Sequence, residues 1–243
     1  MEDKIIGRNP VMEAIRSGRE IEKIFIKKGP QEGSIVSIIK KAKEQGIIIT
    51  EVDKQKLDNM AEGENHQGVI ALAAVCEYVS VKEILDRARE KGKAPFVIIC
   101  DKITDPHNLG SIIRTANCVG ADGVIIPKRN SVGLNLVVAK TSAGALEYTP
   151  VARVTNIART LDELKEEGLW IAGADMDGST MYKNDLKGAL GLVIGSEGEG
   201  ISRLVKEKCD FLVSIPMYGE INSLNASVAA AILMYEVARQ KEM

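Results

Sequence analysis

The chain has 243 residues, 45% of them hydrophobic and 27% charged, and its mean hydropathy is −0.03. That balance supports a globular core and excludes wholesale disorder, and no apolar run approaches the ~20 residues of a membrane-spanning helix. Thirty-two basic and 34 acidic residues give a net charge of −2, which excludes an overall basic footprint for nucleic acid. At ~150 residues per domain, one large or two small domains are expected.

In chain order, Asn9-Pro10 is expected to open a helix as N-cap and first helical residue, with Val11, Ala14 and Ile15 inward and Gly18 as its stop. Residues 23–27 alternate like a half-buried strand. A helix over about 34–45, a strand at 47–49, a short helix at 54–61 and a buried strand at 69–75 complete a first unit. Residues 76–94 read as a charged connector holding a short amphipathic helix. A second unit then alternates strands (96–100, 123–126, 169–174, 190–194, 211–215) with helices (108–119, 156–166, 202–207, 225–240). Continuous apolar strands between helices predict an α/β fold with a mainly parallel sheet covered on both faces. The expected organisation is thus residues 1–75, a linker at 76–94, and 95–243. The start, Met1-Glu2-Asp3-Lys4, shows no secretory signal. Four scattered cysteines without a CxxC pair, beside only two histidines, predict reduced thiols, no metal site and a cytoplasmic protein.

Three Gly- and Asn/Ser-rich segments interrupt this pattern at strand ends, where open α/β sheets bind ligands. In Asp105–Asn117, Asn108 and Arg114 are six residues apart, or 240° after a full turn, so they do not share a helix face. Spacing leaves Arg114 open between a solvated and a functional residue, and Asn108 between a cap and a functional one. His107 reads as a turn residue rather than a base. Residues 101–160 hold seven basic and four acidic side chains, a local excess around this motif. In the second segment a buried strand enters Gly195-Ser196-Glu197-Gly198-Glu199-Gly200. This is neither a dinucleotide fingerprint nor a P-loop, and its acids suit a neutral or cationic ligand better than a phosphate. In the third, Ile215–Ser227, Ser223 or Asn225 could cap the helix that follows.

Together the three segments resemble the motifs of the TrmH-like branch of the SPOUT superfamily of RNA ribose 2′-O-methyltransferases. Asn108-Leu-Gly-Ser-Ile-Ile-Arg114 resembles the first, Ile194–Gly200 the second, and Ile215-Pro216-Met217 through Ser223-Leu224-Asn225 the third. Asp105 and Ala226 depart from the residues common in the family. Gly7–Val11 and Asn65–Val69 are similar to the ribosomal-protein-like RNA-binding domain of the same enzymes. Over the whole chain the similarity is to bacterial 23S rRNA guanosine-2′-O-methyltransferases of the RlmB type.

The resemblance implies a C-terminal trefoil knot, S-adenosylmethionine (SAM) as methyl donor without a metal, a homodimer, and structured RNA as substrate, rRNA before tRNA. It also implies Arg114 as the central catalytic residue, with Asn108, Glu197, Ser223 and Asn225 around it. The donor falls to Gly195, Ser196, Gly198, Ile215, Pro216, Met217 and Leu224. A guanidinium stays protonated, so Arg114 is expected to clamp a phosphate and stabilise an oxyanion rather than act as a base. The alternatives are a tRNA enzyme, a non-catalytic RNA-binding assembly factor, and a nicotinamide enzyme, the last disfavoured by the missing fingerprint.

Overall fold

A computed structural model describes residues 4–241; Met1–Asp3, on which the expectation of no secretory signal mostly rests, lie outside the described residues. The chain divides into two units, one running to Glu77 and joined by Leu134–Leu136, the other holding the remainder from Tyr78.

The first unit is a four-stranded mixed sheet with three helices: β1 (Lys4–Ile6), α1 (Arg8–Arg16), β2 (Ile21–Lys27), α2 (Ser34–Glu44), β3 (Ile49–Val52), α3 (Lys54–Ala61) and β4 (Val69–Ala73), in strand order β1-β4-β2-β3. Only β2 and β3 run parallel. Val11, Ile15, Ile24, Ile38 and Val69 form its core. The start of α1 differs from expectation. Gly7, at φ 97, is the capping residue, its N–H bonds Val69 O, and the Arg8 N–H donates to Gln67 Oε1 at 3.2 Å. Asn9 is therefore inside the helix, and Pro10 still falls in the first turn, where a missing N–H breaks no intrahelical bond. The third strand starts at Ile49 rather than Ile47, because the Ile47 N–H closes the end of α2 on Ala42 O at 2.8 Å. β1, three residues long, is too short to show an alternation.

The second unit carries a six-stranded, all-parallel sheet. Its elements are α4 (Val81–Glu90), β5 (Phe96–Cys100), α5 (Pro106–Cys118), β6 (Gly123–Pro127), α6 (Leu136–Thr141), β7 (Val151–Val154), α7 (Ile157–Glu166), β8 (Trp170–Thr180), β9 (Leu190–Ile194), α8 (Arg203–Lys208), β10 (Phe211–Ser214) and α9 (Ala226–Lys241), with strand order β10-β8-β9-β5-β6-β7. The α/β fold with a mainly parallel sheet is as expected. The helix read as part of a connector is α4, and its Ile84 and Leu85 lie in one buried cluster with Val97, Ile99, Leu161 and Val193. Edge strand β7 and short helix α6 were not anticipated; four and six residues are too few for a clear period. No helix among the described residues is long and apolar enough to cross a membrane, and no group of His, Cys, Asp or Glu there could hold a metal ion.

Candidate active site

The three segments singled out in the sequence converge at the C-terminal edge of the second sheet. Asp105 caps α5 by accepting the His107 N–H at 2.8 Å, so Asn108 is not the cap; it lies inside the first turn and is buried. His107 likewise belongs to that turn rather than to a loop, its Nδ1 3.4 Å from Thr141 Oγ1. Asn225 does cap α9: its Oδ1 accepts the Ser227 and Val228 N–H groups at 3.0 and 3.3 Å. Its Nδ2 faces the other way and donates to Asn108 Oδ1 at 2.9 Å.

Glu197 ties the three segments together. Its Oε1 accepts from Asn108 Nδ2 at 3.0 Å, from the Ala226 N–H at 3.3 Å, and from Asn225 Nδ2. One carboxylate oxygen thereby fixes the start of α5, the loop after β9 and the start of α9. The loop itself is closed at the neck, Ser196 and Gly200 exchanging backbone bonds of 3.1 and 2.9 Å. Gly195 permits this closure: a Cβ there would stand 2.1 Å from Gly200 C and 2.3 Å from Ile201 N. Buried Asp101, next after β5, holds the far side of the loop by accepting the Ser202 N–H at 2.7 Å, and Lys102 reaches Glu199 at 3.2 Å.

Beside this knot of bonds lies a cavity of about 570 Å³ over the ends of β8, β9 and β10. That size is ordinary for a small-molecule site. Gly195, Ser196, Glu197, Gly198, Ile215, Met217, Ser223 and Leu224 all line it. Pro216, Asn108, Asn225 and Arg114 are not among the lining residues. Arg114 is exposed on α5, its side chain makes no hydrogen bond or ion pair among the described residues, and it is not brought to the Glu197 cluster. The 240° offset from Asn108 accounts for that.

Sequence reasoning missed one wall. Gly173 pairs with Leu212 and Ser179 with Val213, so residues 174–178 leave the ladder between neighbouring residues of β10. This excursion brings Asp175 and Asp177 to the cavity, where Lys206 pairs with them at 2.9 and 3.2 Å. Burial pushes the Asp175 carboxyl up, but its bonds to Lys206 and to the Asp177 N–H outweigh that and leave it below the usual carboxylate range. With Glu197 and Glu199 the cavity collects four acids against one lysine, a setting for a cationic ligand. The signal was Asp-Met-Asp-Gly at the carboxyl end of a strand. Burial pushes the thiols of Cys100 and Cys209 up to about 12, which makes them inert as nucleophiles.

Two family models match the chain: the SpoU rRNA Methylase family over residues 95–235, and RNA 2′-O ribose methyltransferase substrate binding over residues 4–79. Among curated proteins, YacO of Bacillus subtilis (strain 168), named for the TrmH family of tRNA/rRNA methyltransferases, is 51% identical over 98% of this chain and 96% of its own. A protein of Staphylococcus aureus (strain MSSA476) named for the same family is 53% identical over 99% and 98%. Among solved structures, the SpoU methyltransferase AviRb of Streptomyces viridochromogenes, in complex with AdoMet, has a TM-score of 0.63 at 23% identity, covering 98% of this chain and 90% of that one. The chain is therefore an RNA methyltransferase and belongs to the SpoU/TrmH family, with a substrate-binding domain at its N-terminal end.

Proposed function

We propose that the chain transfers a methyl group from SAM to a ribose 2′-hydroxyl of structured RNA, a guanosine of 23S rRNA being the favoured target. The observation that carries this reading is the Glu197 junction at the wall of the acid-lined cavity. The residues present fit a SAM molecule: the volume is adequate, and four carboxylates favour a sulfonium over a phosphate-rich cofactor. AviRb, the fold neighbour, was crystallised with AdoMet, which supports the same assignment. When bound, SAM supplies an electrophilic methyl carbon.

The chain's own residues have to align oxygen, carbon and sulfur, since in-line displacement draws much of its rate from positioning. Gly195, Ser196 and Gly198 with Ile215, Met217 and Leu224 hold the donor, Pro216 setting the course of the chain between two of them. Asn108, Asn225 and Glu197 keep the loops in register, and Ser223 faces the cavity. Arg114, exposed and without a side-chain partner among the described residues, is free to meet an RNA phosphate and the developing oxyanion.

The rRNA preference draws on the family model over residues 95–235; the relatives' names join tRNA and rRNA and keep a tRNA target as the second reading. Residues 1–75 serve as the RNA-binding part and 95–243 as the transfer part. A homodimer, a cytoplasmic location and the C-terminal knot belong to the same reading. Exposed Ile221, Val228 and Tyr235 offer apolar surface for a second copy. Incubation with methyl-labelled SAM and total RNA tests the proposal. Label should appear in alkali-resistant dinucleotides, because a methylated 2′-oxygen cannot attack its own phosphate. Label confined to bases, or absent from RNA, would refute it.

A further inference from the structure

We propose that Asp101 is a positioning residue for the methyl donor: it sets the loop of residues 195–201 for SAM by holding both ends of that loop at once. The inference rests on the reading of the cavity as the SAM site and names the residue that keeps its wall in place.

Asp101 directly follows β5 and is buried. Its N–H donates at 2.8 Å to the O of Ile194, the last residue of β9. Its Oδ2 accepts at 2.7 Å from the N–H of Ser202, the residue that caps α8. One residue thus pins the chain where it enters the loop and where it leaves. Between those points Ser196 and Gly200 close the neck, and Glu197 reaches across to α5 and α9. Those bonds give the loop its shape; Asp101 fixes where its two ends stand. Residues 195–200 line the cavity and Asp101 does not, so its effect on a ligand has to pass through the loop. Asp101 and Ser202 are 101 residues apart, and no motif joins them.

The loop needs such a fastener. Gly195, Gly198 and Gly200 give it wide conformational freedom, and ordering it only when the donor arrives would subtract from affinity. A loop ordered beforehand avoids that loss. Asp101 suits the task, because its bond is shielded from water and runs from a backbone N–H to a carboxylate, a stronger pairing than neutral groups make. Lys102, next in the chain, reaches Glu199 at 3.2 Å, but both side chains are exposed, and such a pair contributes little. Lys102 stands at φ 58, in the left-handed region that side chains rarely adopt. Conformations of that kind persist where the surroundings fix them, and this one bends the chain straight after Asp101.

Calorimetry of SAM binding to the full chain and to three Asp101 variants tests the proposal. Asp101→Asn keeps an oxygen that can accept the Ser202 N–H and should bind SAM within about threefold of wild type. Asp101→Glu keeps the carboxylate but displaces it by a methylene, and Asp101→Ala removes the acceptor. Both should bind SAM at least ~10-fold more weakly, about what one hydrogen bond to a charged group contributes. Stoichiometry should not change. A residue that only held the fold would lower the fraction of chains able to bind, hence the stoichiometry, and leave the affinity of the folded ones alone. Asp101→Glu decides where Asp101→Ala does not fold. Three results would overturn the role given to Asp101 while leaving the SAM site standing: wild-type affinity in a folded Asp101→Glu or Asp101→Ala, a loss in Asp101→Asn as large as in Asp101→Ala, or failure of both Asp101→Glu and Asp101→Ala to fold. Failure of the wild-type chain to bind SAM would instead remove the reading on which the inference rests.

Discussion

Glu197 and Arg114 are opposites at the scale of single residues: one Glu197 carboxylate oxygen accepts three bonds from its own chain, whereas the exposed Arg114 guanidinium has no hydrogen bond or ion pair among the described residues. Glu197→Ala leaves the buried Asn108 amide without its acceptor, and a buried donor without a partner costs ~1–3 kcal/mol. Chemical denaturation should show a loss of that order; an unchanged midpoint would mean that the junction contributes nothing. The Arg114 side chain is exposed and has no hydrogen bond or ion pair among the described residues, so its substitution should leave stability nearly unchanged. Lys lacks the planar two-pronged donor, and Arg114→Lys should lower single-turnover methyl transfer by at least ~100-fold at saturating RNA, with SAM affinity near normal. A rate within a few-fold of wild type would make Arg114 a solvated residue only. How legible these residues were differs case by case. Asn108, Glu197 and Asn225 are 89 and 28 residues apart in turn, and no local spacing could have joined them; only the resemblance of three motifs did. Asp175 and Asp177 belonged to no motif, and their place at the cavity depends on a strand excursion that has no periodic signature.

Elements carry the site through the loop after β9. Gly195→Ala forces a Cβ into the backbone of Gly200 and Ile201, so the neck must open. Calorimetry should then find SAM binding lost in a protein whose circular dichroism is unchanged. Gly198 has open space around it but a φ of +82, so Gly198→Val acts by strain, which for an L residue in that region is ~1–3 kcal/mol, and should weaken SAM binding in the same way. Unchanged affinity in both folded variants would remove the donor from this loop. The long buried strands were legible because five-residue apolar runs such as Phe96–Cys100 are hydrophobic throughout. Helix starts were less so: Asn9-Pro10 carries a good capping signature, yet Gly7 turns the chain earlier because its N–H is taken by Val69 O. Tertiary pairing decided that boundary, and single-residue preferences could not anticipate it.

Across the whole molecule, two family models meet near residue 79–95, and α4 lies between them. Its Ile84 and Leu85 are buried in the second unit's core, and together they contribute roughly 3–6 kcal/mol by area. A chain beginning at Tyr78 should therefore fold and bind SAM with much reduced RNA affinity, whereas one beginning at Ala94 should be far less stable in a thermal melt. Equal melting temperatures would contradict the place given to α4, and full RNA affinity in the shorter chain at matched salt would remove the role given to the first unit. The composition alone, with its net charge of −2, gave no sign of an RNA partner. Mapping 2′-O-methyl groups in total RNA from cells with and without this protein tests methyl transfer to a ribose hydroxyl of RNA in its native setting. Under the proposed function, one 2′-O-methylated guanosine of 23S rRNA should disappear and return with the wild-type chain but not with Arg114→Lys. Identical ribose-methylation maps in the two cell lines would contradict it.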